Sequence, residues 1–241
     1  MKRGIALLAL LLPAMALAAT THKVARNTPL LEFTYEWPTE AVAIPALDLR
    51  LYNAAKTALA KAQQYAAEDK KLTVDQKRDF DGHYYSMMWS TSGQSIRLLS
   101  LEGAYEAYTG GAHPSHGSEV LLWDRKLNRP VDMNALFSKA GAFAAVTRAA
   151  YCKALNAERE QRRDGEKMDG DFGACPKYAE LEIAPFDNNK NGRFDRIHFV
   201  ADEYVAGPYV EGPYETPLPV TAQLIAALKP EYRSSFEVYR Q

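Results

Sequence analysis

The sequence predicts an α+β fold in which antiparallel sheets pack against a long N-terminal helix and a second helix. Three observations lead there. Leu47, Leu51, Ala55, Ala58, Ala62 and Tyr65 recur at spacings of three and four, the period of an amphipathic helix. From Phe80 the period changes to two, and His83 to Ser90 places Tyr85, Met87 and Trp89 on one face of a strand. Phe143, Val146, Ala150 and Ala154 then restore a helical spacing in the second half.

The first stretch, residues 1–19, reads as a secretory signal peptide. Lys2 and Arg3 are basic, Gly4 to Leu12 is apolar, and Ala16-Leu17-Ala18 is a small-x-small cleavage site. The expectation is cleavage after Ala18 or Ala19, a periplasmic or secreted protein of the bacterial envelope, and no membrane anchor after cleavage. Thr20 to Thr28 is polar and is expected to be mobile. Leu30 to Trp37 alternates loosely, is rich in aromatics and reads as a strand that Pro38 ends.

Pro45 sits where a helix can open, because its missing N–H costs nothing in a first turn. The helix is expected to run for about 23 residues. Its alanines predict a close approach to the neighbouring layer. Lys70 to Arg78 reads as a charged connection, with room for one helical turn. Ser92-Gly93 reads as a turn, and Ser95 to Glu102 as the returning strand, with Arg97 on an exposed face. The segment Tyr105 to Gly117 ends an apolar run with a Gly110-Gly111 break, and Glu119 to Trp123 returns as a strand. Three consecutive antiparallel strands follow from this pattern.

Asp132 is placed to cap a short helix through Phe137, and Ser138 a longer one from Lys139 to about Gln161. Lys177 to Ala184 and Arg193 to Val200 read as strands around a turn at Asp187 to Gly192. Tyr204 to Glu215 repeats Gly-Pro-Tyr, and its prolines bar regular pairing, so it reads as an ordered aromatic loop. Thr221 to Leu228 reads as a short helix.

Composition narrows the function classes. Hydrophobic residues make up 47% of the chain and the formal net charge is −1. That composition supports a full core and argues against nucleic-acid binding, which needs a basic surplus. Cys152 and Cys175 are the two cysteines. Export favours a bridge between them, worth roughly 3 kcal/mol in the chain-entropy model. The rival is two buried free thiols.

Four features stand in order along the chain. They are the signal peptide, the strand with its long helix, Tyr108 to His113 after a hairpin, and Tyr204 to Gly212 near the end. In that order they resemble the PdaC/RsiV-like family of exported domains. That family includes the accessory region of a peptidoglycan deacetylase and the outer part of an anti-sigma factor that senses lysozyme. Its Tyr-x-Gly-Gly-Ala-His segment matches Tyr108 to His113, and its Tyr-x-x-Gly-x-Tyr-x-x-Gly segment matches Tyr204 to Gly212. The resemblance implies two small subdomains, residues 20–117 and 118–241. It implies contact with a cell-wall-related ligand, either peptidoglycan or a lysozyme-like protein, and no established chemistry.

The candidate ligand-binding residues are therefore Tyr108, Gly110, Gly111, His113, Tyr204, Tyr209 and Tyr214. Their rings could stack on sugars or anchor a protein interface. They could equally pack glycine-rich turns against a sheet. No nucleophile elbow and no Ser-x-x-Lys occurs, so no catalytic residue is assigned. The alternative is a cell-wall hydrolase acting through carboxylates or the His113/His116 pair.

Asp187, Asn189, Asn191 and Asp195 occupy positions 1, 3, 5 and 9 of a calcium-loop pattern, with Gly192 at position 6. Position 12 is His198 in place of the bidentate glutamate. A hairpin turn with Asn191-Gly192 at φ > 0 is the preferred reading, with weak calcium binding as the other. No other cofactor is expected.

Overall fold

The structure, a computed structural model, describes residues 22–166 and 168–240. The expected signal peptide lies outside the described residues. β1 (His22–Asn27) pairs antiparallel with β2 (Leu31–Trp37). The segment expected to be mobile is thus an edge strand. Its side chains are mostly exposed, so its order comes from the backbone ladder with β2 and not from burial. β2 buries every second residue: Leu31, Phe33, Tyr35 and Trp37.

A short helix, α1 (Thr39–Val42), leads into α2 (Pro45–Asp75), with Pro45 in its first turn. α2 runs to Asp75 through the stretch expected to be a connection. Lys70 and Lys71 are good helix formers, and Ala66 and Thr73 bury against the sheet to hold the last turns. β3 (His83–Gln94) then lies parallel to β2. A parallel neighbour needs a long crossover, which α2 supplies. The first sheet is otherwise antiparallel, as expected.

Ser92-Gly93 is not a turn. It lies inside β3 at a register irregularity. A side chain at Gly93 would meet Asp187 Cβ at 2.7 Å, so the glycine admits the second sheet's hairpin. The chain turns instead just before β4 (Leu98–Tyr108), which pairs antiparallel with β3 and with β5 (Ser115–Asp124). β6 (Arg129–Pro130) closes a six-stranded sheet in sequence order. The three consecutive antiparallel strands are present. The expected boundary at residue 117 falls inside β5, and the first sheet continues to Pro130.

Asp132 caps a short 3₁₀ turn, accepting from Asn134 N at 2.7 Å. α3 (Ala142–Arg162) starts after Gly141, at φ 73, so Ser138 is not its cap. Its buried stripe is Phe143, Thr147, Tyr151, Leu155 and Arg159. Val146 and Ala154 lie at the margin and Ala150 is exposed, because a spacing of four along the helix sets the buried line. Cys152 and Cys175 form a disulfide with Cα atoms 5.6 Å apart. β7 (Glu182–Phe186), β8 (Arg196–Ala201) and β9 (Tyr214–Pro219) make an antiparallel sheet, and α4 (Ala222–Ala227) follows with Thr221 as its cap.

Two cores result, and the architecture is α+β with two small subdomains. One lies under α2 around Phe33, Trp37, Leu47, Met87 and Trp89. The other lies between α3 and the second sheet around Phe143, Tyr151, Phe199 and Phe236. Leu98 and Leu122 of the first sheet belong to the second core, which ties the halves together. Carboxylates of the second half also reach the free edge of β5. Asp202 accepts from Ser118 N at 2.9 Å and Glu182 from Val120 N at 3.0 Å. An edge strand is thereby covered against foreign pairing. Arg97, expected to be exposed, instead pairs with the fully buried Asp124 at 2.9 Å.

Candidate functional site

The Tyr108 to His113 segment is a turn that carries β4 into β5. Tyr108 stacks on Tyr84 with ring centroids 6.0 Å apart and donates to Gly111 O at 3.1 Å. Gly110 and Gly111 take φ of 88 and 111, values that favour glycine. The turn delivers His113 against Tyr209, with centroids 4.2 Å apart. Tyr209 donates to Pro114 O at 3.3 Å. Tyr204 and His116 lie 5.9 and 6.4 Å from the same ring. The two sequence motifs therefore meet at Tyr209, and Tyr204 is 61% exposed beside it.

The loop bearing Tyr209 is held from α3. Arg163 donates to both oxygens of Glu211, at 2.9 and 2.8 Å. Arg162 donates to the carbonyls of Glu211 and Pro213 at 2.7 and 2.9 Å. The Arg163 hydrogen bond is the main reason the Glu211 carboxyl is held below its ordinary range. Tyr214 is 1% exposed and donates to Glu211, with the Arg162 guanidinium over its ring. It belongs to the core and not to the exposed rim, because β9 turns it inward.

Beside the rim lies a cleft of about 310 Å³ at the junction of the two sheets. Tyr105, Glu106, His116, Asp202, Glu203 and Glu215 line it. Gly117 lies under the Tyr105 ring, where any side chain would collide with it. Glu106 accepts from the Tyr84 hydroxyl at 2.5 Å. Next to the cleft, His198 Nδ1 meets Glu102 at 2.9 Å and Nε2 meets Glu215 at 3.5 Å. The Glu102 bond, then Glu215, raises the His198 pKa to about 9. The same contact is the main reason the Glu215 pKa is lowered. At neutral pH His198 is therefore an imidazolium, set between the Glu102 and Glu215 side chains.

His113 and His116 flank one tyrosine, and only His116 lines the cleft. His113 Nδ1 is taken up by Pro114 O at 2.8 Å. Among the described residues no group of three or more His, Cys, Asp or Glu side chains is placed to hold a metal. Sequence reasoning named the rim but missed the carboxylates. They come from β4, β9 and the loop after β8, with no shared spacing. Asp202-Glu203 immediately before Tyr204 was the one local signal available.

Asp187 to Asp195 forms the connection between β7 and β8. Asp187 accepts from Asn191 N at 3.2 Å and Gly192 N at 2.9 Å, and Asp195 from Asn188 N at 2.8 Å. Asn189 and Asn191 both donate to Glu237 at 2.7 Å. Positive φ falls on Lys190 and Gly192, at 58 and 85, and not on Asn191. The Asx-type bonds from Asp187 shift the left-handed residue one place back.

The fold and site together define a class: an α+β protein whose two sheets enclose an acidic cleft with an aromatic rim. No family model matches the chain, and no curated protein matches it either. Solved structures do. A member of the DUF3298 family from Bacteroides fragilis is similar with a TM-score of 0.59 and 17% identity, over 91% of this chain and 97% of that one. A DUF3298 family protein from Pseudomonas aeruginosa is similar with a TM-score of 0.55 and 16% identity, over 88% and 95%. The fold is that of DUF3298 structures. No helix among the described residues is long and apolar enough to cross a membrane.

Proposed function

We propose that the protein is an exported, non-catalytic binding module of the cell envelope, and that its junction cleft holds a basic protein of the lysozyme type. The observation that carries this reading is the convergence of the two PdaC/RsiV-like segments on one aromatic rim beside an acidic cleft. Tyrosine and histidine rings offer faces to a guanidinium or ammonium group, and Glu106, Glu203 and Glu215 offer charge. Peptidoglycan is the other ligand that the resemblance implies. Its peptide stems carry carboxylates, which these glutamates repel, so the basic protein is favoured.

Biolayer interferometry against lysozyme tests the reading, with retention on purified sacculi measured in parallel. The expected result is lysozyme binding that weakens as salt rises, because exposed charges are screened. Tyr209→Ala and Glu203→Lys should each cost about 2 kcal/mol, the scale of an interface hot spot. Retention on sacculi alone would move the ligand to the glycan. No binding to either would overturn the reading. Export is checked by the mass of the protein recovered from the periplasm or medium.

A second reading is a cell-wall hydrolase. His116, Glu106 and Glu203 on one cleft favour it. Release of label from dye-labelled sacculi, lost in His116→Ala, would support it. No release from the wild-type protein would remove it.

A further inference from the structure

α2 leaves an apolar groove along one flank. Leu47, Leu51 and Ala55 are buried, and Ala66 is buried again further on. Ala58 and Ala62 pack on the same core between these contacts, and beside them the helix borders a cleft of about 530 Å³, within the range of roughly 300–1,000 Å³ usual for small-molecule sites. Ala54, Ala58 and Ala62 face it from the helix, and Leu31, Tyr85 and Ala107 from the sheet. The small alanine side chains let the helix pack on the sheet, as expected, and leave room for the groove beside it.

The polar groups around the cleft are few. His83, 5% exposed, lines it. Its Nε2 meets Asp69 at 3.0 Å, and its Nδ1 has no partner among the described residues. Burial, as the main cause, pushes the Tyr85 hydroxyl up to about 12, so it remains a donor at neutral pH. Lys61 lines the cleft from the exposed side of the helix, and Arg50 lines an adjoining groove that shares Ala54 and Thr57 with it. From Leu49 to Ala67 the helix carries Arg50, Lys56 and Lys61 and no acidic residue. None of the three is in an ion pair among the described residues.

We propose that this cleft binds a free single-chain anionic amphiphile, with its acyl chain under Ala54, Ala58 and Ala62 and its carboxylate at Lys61. The apolar walls suit the chain, and the unpaired basic stretch suits the head.

Calorimetric titration of the delipidated full chain with oleate, below its micelle concentration, tests the proposal. One oleate per chain is expected. Ala58→Trp should fill the cleft and weaken binding at least about tenfold, the effect of about 1.4 kcal/mol. Ala62→Leu serves if the tryptophan variant fails to fold by circular dichroism. Lys61→Glu should weaken oleate and leave oleyl alcohol unchanged. Wild-type affinity in a folded cleft-filling variant would overturn the proposal, as would no oleate binding. Sedimentation with vesicles of phosphatidylcholine and phosphatidylglycerol, without binding of free oleate, would assign the surface to a membrane and also overturn it. The assay does not involve the junction cleft, so its failure leaves the proposed function standing.

Discussion

Asp124 shows how much a single residue can depend on partners from distant segments. It is fully buried, and it accepts from Arg97, from the Tyr232 hydroxyl at 3.0 Å, and from Lys126 N and Leu127 N at 2.9 Å each. Burial alone would raise its pKa. The Leu127 N–H, Arg97 and Tyr232 outweigh burial and lower it. A depressed folded pKa means that the stabilisation is present above the unfolded value of about 4 and is lost as pH falls through the folded one. Asp124→Ala should cost about 3–5 kcal/mol in urea unfolding, since it strands Arg97 in a partly buried site. A midpoint within error of wild type would refute this role. The pair was not legible in the sequence. Strand alternation put Arg97 outward, and its partner lies 27 residues away across the β4–β5 ladder. At the junction, by contrast, Tyr209 and His113 were both legible, because each sits in a motif with its own glycines.

Among the elements, the long helix shows a start that was easier to read than its end. Pro45 marks the beginning of α2, but nothing between Lys70 and Asp75 distinguishes a solvated helix from a charged loop until Thr73 is seen to bury. β1 was missed for a similar reason. It is mostly exposed, and the ladder with β2 orders it, with His22 on Asp48 of α2. The disulfide was legible from compartment and count, and it joins α3 to the segment before β7. Replacing Cys152 and Cys175 by serine should cost roughly 3 kcal/mol in the chain-entropy model, read as a lower urea midpoint. The β7–β8 connection was legible as a turn from its Asn-Gly pair. Its oxygens are engaged by Asn188 N, Asn191 N and Gly192 N. Calorimetric titration with calcium should therefore give a dissociation constant no tighter than about 10⁻⁵ M, at the weak limit of the sensor range. A tighter value would show that Asp187 and Asp195 exchange these bonds for a metal.

On the scale of the whole molecule, near-neutral net charge conceals a separation, with a basic stretch of α2 on one side and the glutamates of the junction on the other. The junction is also where the two halves are clasped. Glu102 comes from β4, His198 from β8 and Glu215 from β9, so the clasp exists only when both sheets are docked. No sequence pattern joins these three residues, and only the docking of the sheets brings them together. Its pH dependence follows from the shifts. His198 has a folded pKa of about 9. Its contribution is complete below the unfolded value of about 6.5 and is lost as pH rises through the folded one. Glu215 is lowered, so its share is present above the unfolded glutamate value and is lost only in acid. Stability should then decline by about 1–2 kcal/mol between pH 6.5 and 9.5, allowing for solvent screening. Urea unfolding across that range measures it. His198→Gln keeps a polar group between the carboxylates but cannot titrate, so its stability should be lower at pH 6.5 and nearly flat to pH 9.5. If the variant shows the same alkaline slope as the wild-type protein, another group is responsible and the clasp is not what holds the two sheets at neutral pH.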